Sequence, residues 1–217
     1  HNCGIDSSGS VQCWGHNGYG QVSDVPSGTF VQVSTGANHS CGIDIDGGVQ
    51  CWGRNDSGQV SDTPSGTYVQ VSAGDTHSCG IDSSGSVHCW GAPEYGGTTP
   101  VELYENVSMI FSSLYDFAAL RTDGSVKVWG YKYSSSNYQF TGKTISIFPS
   151  RDGFAAMKDD GSLQIWDGQE FTTSSIYKGI KTVVSTDGAF AAPVCHAGSW
   201  MNQSKLTCNK CHGGKYS

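Results

Sequence analysis

The sequence predicts an all-β fold assembled from short antiparallel units. Three observations predict it: an excess of glycine, a 38-residue repeat, and cysteines paired ten residues apart. Glycine accounts for 30 of 217 residues, and only 14% of residues are charged. Average proteins hold about 7% Gly, so this composition favours many turns between short strands over helices. Twelve Lys and Arg against nineteen Asp and Glu give a formal charge of −7. No strong electrostatic term therefore favours nucleic acid or an anionic membrane as partner. No apolar run approaches the roughly 18 residues that cross a bilayer. The chain starts at His1, without Met or a charged-then-apolar signal segment, and reads as a processed product or an internal segment of a longer protein.

The repeat defines the elements in order. Residues 1–15 read HNCGIDSSGSVQCWG, 39–53 HSCGIDIDGGVQCWG and 77–91 HSCGIDSSGSVHCWG. The connector GQVSDVPSGTFVQVSTG at 20–36 returns as GQVSDTPSGTYVQVSAG at 58–74. Two weaker copies, DFAALRTDGSVKVWG at 116–130 and DGFAAMKDDGSLQIWDG at 152–168, keep the register through Trp129 and Trp166. A sixth start, KTVVSTDGAFAAP at 181–193, lacks the Trp-Gly part. Within a unit, VQVS alternates apolar and polar residues, HSCGID follows a Gly-containing turn, and GVQCWG returns after a second turn, which predicts three strands. Such a meander cannot bury its apolar face alone, so neighbours must stack. A unit of about 40 residues with antiparallel strands has the size of a propeller blade, which favours radial closure into a β-propeller over a linear solenoid.

The phrase H-S-C-G-I-D-x-x-G-x-V-x-C-W-G, followed by N-x-x-G-Q, resembles the repeat of the regulator of chromosome condensation family. The form is the short, cysteine-containing one of secreted and bacterial propellers. The resemblance covers residues 1 to about 193 and weakens after residue 91, where Cys and His drop out. It implies a propeller, commonly of seven blades. Five and a fraction units are present, so either blades precede His1 or the number differs.

Six cysteines form the pairs Cys3 and Cys13, Cys41 and Cys51, and Cys79 and Cys89. If Cys3 faces Cys13 across a hairpin, Ile5 faces Val11 and Asp6 faces Ser10. Ser7, Ser8 and Gly9 then form a three-residue loop with Gly where φ must be positive. Residues opposed at a non-hydrogen-bonded site lie about 4.5 Å apart at Cα, within disulfide range. The weaker units replace both partners together, Ala118 with Val128 and Ala155 with Ile165. The competing reading is reduced, buried cysteines in a cytosolic protein. Zinc is disfavoured, because 28 residues separate Cys13 from Cys41 and metal knuckles need short spacing. If the bridges form, the chain belongs to an oxidising compartment, secreted or on the cell surface. Four N-x-S sequons, at Asn38, Asn55, Asn106 and Asn202, agree as N-glycosylation candidates.

Residues 1–194 thus form the expected propeller, and 195–217 change character. The tail resembles the start of the Cys-rich growth-factor-receptor or ephrin-receptor-like extracellular modules. That resemblance implies a Cys195–Cys208 bond, with the partner of Cys211 beyond Ser217. Cys208, Cys211 and His212 also spell C-x-x-C-H, the haem-attachment pattern. Gly213 and Gly214 supply little apolar wall for a porphyrin, and haem would leave Cys195 unpaired, so no cofactor is expected.

The repeated His1, His39 and His77 read as structural imidazoles bridging backbone groups of neighbouring strands. Asp44, Asp46 and Gly47 read as a hairpin turn, because the remaining ligands of a calcium loop are missing. The recurrent Trp reads as packing between units ahead of a sugar platform. No nucleophile elbow, phosphate loop or zincin motif is present. The expected function is a non-catalytic extracellular structural or protein-interaction module for adhesion or assembly. Its partners would be other extracellular proteins or copies of itself, with a glycan as a further ligand class, and neither nucleic acid nor membrane insertion is expected. Two alternatives keep the fold: a secreted inhibitor that clamps an enzyme, and an intracellular guanine-nucleotide exchange factor like the family's founding member.

Overall fold

The computed structural model describes residues 1–100, 103, 105–131 and 140–166, together with the backbone of five later strands. The first unit contributes β1 (Asn2–Ile5) and β2 (Val11–Trp14). The second contains β3 (Phe30–Thr35), β4 (His39–Asp44) and β5 (Val49–Gly53), and the third β6 (Tyr68–Ala73), β7 (His77–Asp82) and β8 (Val87–Gly91). The fourth holds β9 (Val107–Ser112), β10 (Asp116–Arg121) and β11 (Val126–Gly130). The fifth runs β12 (Thr144–Pro149), β13 (Phe154–Lys158), β14 (Leu163–Trp166) and β15 (Phe171–Ser174). Two further hairpins follow, β16 (Val184–Thr186) with β17 (Ala189–Ala191) and β18 (Ser199–Asn202) with β19 (Thr207–Lys210). All pairings are antiparallel, and Pro93–Tyr95 form a short 3-10 turn.

The units stand side by side as the blades of an all-β propeller. Their first strands line the inside, with β3 against β6, β6 against β9 and β9 against β12. The fifth unit gains a fourth strand, β15, beyond the three that the repeat predicts.

The core lies between sheets, as the inability of one meander to bury its own face requires. Cys41 and Ile43 of the second unit pack with Tyr68, Val71 and Trp90 of the third. Cys79, Ile81 and Val87 pack in turn against Ile110, Phe117 and Trp129 of the fourth. Burying a side chain such as Ile43 or Ile81 contributes about 1.5–3 kcal/mol, and both are 1% exposed.

One device fixes the register between neighbouring units from the first to the fifth. The hairpin between the second and third strands turns at a glycine with positive φ, 85° at Gly47, and Gly47 O accepts from Tyr68 N of the next unit at 2.8 Å. A Cβ at Gly47 would collide with the Thr67 side chain, so this residue both makes the turn and permits the contact. The same bond runs from Phe30 N to Gly9 O at 2.7 Å and from Thr144 N to Gly124 O at 2.9 Å. These bonds define a hairpin face. The opposite, turn face carries its own chain, Ala37 N to Gly74 O at 3.1 Å and Leu114 N to Arg151 O at 2.9 Å.

Candidate interaction surface

The three disulfides sit in the hairpins. Cys3 pairs with Cys13, Cys41 with Cys51 and Cys79 with Cys89, at S–S distances of 1.98, 2.06 and 2.07 Å and Cα separations of 4.0–4.1 Å. Cys41 and Cys79 are fully buried. Neighbouring units are joined by polar bonds at a step of about 39 residues. His1 Nε2 lies 2.7 Å from Ser40 Oγ, and His39 Nε2 lies 2.8 Å from Ser78 Oγ. The imidazole thus meets a hydroxyl of the next unit, where the sequence suggested backbone. Burial pushes His39 down to about 4 and His77 to about 3, so both rings are neutral at physiological pH. His77 has no such hydroxyl, because Phe117 stands at that position. Its ring meets Phe117 edge-on at 4.8 Å and stacks on Tyr95 at 6.4 Å.

A second ladder uses glutamine as a piece of backbone. Gln32 accepts from Val71 N at 2.7 Å and donates to Val71 O at 2.9 Å, and Gln70 does the same to Ile110, accepting at 2.9 Å and donating at 2.7 Å. The indole N–H groups complete the joints: Trp52 donates to Gln21 O at 3.1 Å, Trp90 to Gln59 O at 3.0 Å and Trp129 to Gly96 O at 3.2 Å. These three tryptophans are buried parts of the inter-unit packing.

At the hairpin tips Asp44 Oδ1 accepts from Asp46 N and Gly48 N, and Oδ2 accepts from Gln50 Nε2. The Gln50 bond leads the contributions that hold the Asp44 carboxyl below its ordinary value. Asp82 is held at about 2. Burial acts in the opposite direction, and bonds from Ser84, His88 and Ser86 outweigh it. The carboxylates therefore keep their charge while structuring the turn. Among the described residues no group of three or more His, Cys, Asp or Glu could hold a metal ion. No helix among them is long and apolar enough to cross a membrane.

Residues 1–21, 30–59 and 68–96 match the model of the Regulator of chromosome condensation (RCC1) repeat. Three stretches within residues 1–96 thus carry this repeat. In structure it is similar to the CRINKLY WD40 ectodomain from the Arabidopsis thaliana receptor kinase ACR4. The TM-score is 0.69 at 22% identity, over 92% of this chain and 75% of that one. It is also similar to yeast RCC1 (Prp20), crystallised bound to Kap60, with a TM-score of 0.66 at 16% identity over 91% of this chain and 66% of that one. The entire ectodomain of the Physcomitrella patens receptor kinase CR4 gives 0.62 at 19% identity, over 86% of this chain and 54% of that one. At these identities the likeness is one of fold. No curated protein matches the chain in sequence.

The sequons fall outside or at the ends of the RCC1 strands. Asn38 lies half-buried in the turn after β3, and Asn55 is exposed after β5, its Oδ1 accepting from Val60 N at 3.0 Å and Ser61 N at 2.9 Å. Asn106 is exposed before β9 with φ of 64°. Asn202 belongs to β18, and its side chain lies outside the described residues, as do Cys195, Cys208, Cys211 and His212.

Two features had no clear signal in the repeat. Where the first units bury Gln21 and Gln59, the third has Gly97, and a cleft of about 520 Å³ lined by Pro93, Glu94, Gly96, Lys127 and Trp129 among others lies nearby. Beside it Tyr95, Tyr115 and Tyr131 cluster with ring centroids 5.2–6.3 Å apart. A comparison of residues 90–97 with 52–59, position by position, exposes the Gln-to-Gly change; the meeting of the tyrosines depends on the packing of two units.

Proposed function

We propose that this chain is an extracellular, non-catalytic protein-interaction module, secreted or held at the cell surface. The observation that supports it is the bonding of six cysteines into three cross-strand disulfides. Such bonds persist in oxidising compartments and are rare in the cytosol. They close short loops in the unfolded chain, which protects exposed blades from opening. The fold likeness to a plant receptor-kinase ectodomain agrees with the reading.

In the same reading, residues 1–194 form the propeller and 195–217 begin a Cys-rich module with a Cys195–Cys208 bond. Glycans sit on Asn38, Asn55, Asn106 and Asn202, and the partners are other extracellular proteins or copies of the chain. An intracellular exchange-factor role, suggested by the likeness to yeast RCC1, requires six free thiols in the first three units. Fractionation of the source cells tests the proposal. Recovery from the medium or from the surface of unpermeabilised cells is expected, and recovery in the cytosol with free thiols would contradict it.

A further inference from the structure

Charge is divided unevenly along the chain. Residues 1–120 hold twelve Asp and Glu and a single cation, Arg54, whereas residues 121–217 hold seven acids and eleven cations. Arg54 belongs to the turn face, where its backbone N–H donates to Asn38 O and its side chain pairs with Asp56 at 2.7 Å. The hairpin face of the first three units therefore carries Asp6, Asp44, Asp46 and Asp82 with no Lys or Arg among them.

The same face exposes large apolar side chains. Val31 is 59% exposed, Ile45 66% and Val69 63%. Val31 and Val69 are equivalent residues, each skipped by the pairing at the start of an inner strand, between Phe30 and Gln32 and between Tyr68 and Gln70. A β-bulge of this kind re-aims a side chain away from the sheet's own packing. The bulges lie beside the hairpins, since Ile45 N donates to Thr29 O at 2.9 Å and Tyr68 N to Gly47 O at 2.8 Å. Because Gln32 bonds Val71 and Gln70 bonds Ile110, successive inner strands are adjacent, which brings the exposed valines of the second and third units side by side along the inner rim; the fourth unit has Ser108 at that position.

We propose that the hairpin face of the first three units docks a basic polypeptide segment bearing apolar side chains. The inference rests on the reading of the chain as an interaction module and names the partner chemistry of that module. Recurrent exposed apolar groups supply contact area, and the surrounding carboxylates select cations and disfavour acidic competitors. The carboxylates of Asp6, Asp44 and Asp82 are held in place by their own turn bonds, so little of their side-chain order is lost when a partner arrives. The pattern stops at the fourth and fifth units. There Ile145 keeps the bulge exposed at 52%, but Arg121 and Lys158 stand where the first units have Asp.

The test uses the full, disulfide-bonded chain and a fluorescent peptide alternating Lys and Leu, followed by anisotropy at about 150 mM salt, where charges beyond roughly 8 Å are screened. Saturable binding is expected. It should weaken at least tenfold in Val31→Ser/Val69→Ser and in Asp46→Lys, and remain unchanged in Asp56→Lys on the opposite face. All these positions are exposed, and unchanged thermal midpoints would show that the variants fold. Absence of binding, equal binding of a Glu/Leu peptide, or equal loss in Asp56→Lys would overturn the proposal. So would self-association of the chain through this face that the peptide does not displace. Failure with all three disulfides intact overturns this inference alone, whereas recovery of the chain in the cytosol with free thiols overturns the reading beneath it.

Discussion

The second and third units and the fourth and fifth share one register and hold it by different chemistry. In the former, Cys41 faces Cys51 and Cys79 faces Cys89, and His39 reaches Ser78 in the next unit. In the latter, Ala118 faces Val128 and Ala155 faces Ile165, while Phe117 and Phe154 occupy the positions of Ser40 and Ser78. Those phenylalanines stack on Trp129 at 5.4 Å and Trp166 at 6.0 Å. A covalent clip plus a neutral imidazole–hydroxyl bond has been exchanged for aromatic packing. The backbone frame is thus indifferent to how each hairpin is fastened, provided that both partners change together.

The largest effect that would break this comparison is expected in the aromatic units. Phe117 is fully buried, and Phe117→Ala should cost about 3–5 kcal/mol in chemical denaturation. The equivalent change in a cysteine-bearing unit, Ser78→Ala, should cost about 1 kcal/mol. Next comes removal of a clip. Cys41→Ala/Cys51→Ala should destabilise by about 2–3 kcal/mol, the entropy of a loop of roughly ten residues. Reductant should lower the stability of the parent chain and leave the fourth and fifth units' contribution untouched.

The pH response sharpens the contrast. His39 and His77 ionise at about 4 and about 3 in the folded chain, against 6.5 in the unfolded one, because burial opposes the charge. The stabilisation that follows is complete above pH 6.5, declines as the pH falls, and is lost through pH 4 to 3. The midpoint of thermal unfolding measured across that window should fall, and His39→Gln should flatten part of the slope. The fifth unit shows the same sign in a more alkaline window. Lys158 is 5% exposed and lowered to about 8 by burial, so stability should rise from pH 8 to 10.5, and Lys158→Met should abolish the rise. The last pair of changes lies in the ladder between inner strands and holds the smallest effect at Val69. Gln70→Ala leaves Ile110 N–H without its partner and should cost about 1–3 kcal/mol, whereas Val69→Ser beside it should stay within about 0.5 kcal/mol.

The architecture was legible because the sequence repeats itself. Glycine punctuation and the 38-residue period set three strands per unit, and the ten-residue cysteine spacing set the hairpin opposition. The joints between units were less legible. His39 and Ser78 stand 39 residues apart and meet only once the units stack. The VQVS alternation implied that Val31 and Val33 share a surface. The bulge after Phe30 breaks that alternation, leaving Val31 exposed and sending Gln32 to the neighbouring strand. A local slip of one residue is invisible to a period-two pattern, and here it creates the proposed docking rim.

The central claim is that opposed cysteines lock each of the first three hairpins. Alkylation of the natively isolated chain without reductant, followed by peptide mass mapping, tests it most directly. Cys3, Cys13, Cys41, Cys51, Cys79 and Cys89 are expected unmodified, recovered as three linked pairs within their own hairpins. Alkylation at these six positions, or linkage between different units, would contradict it.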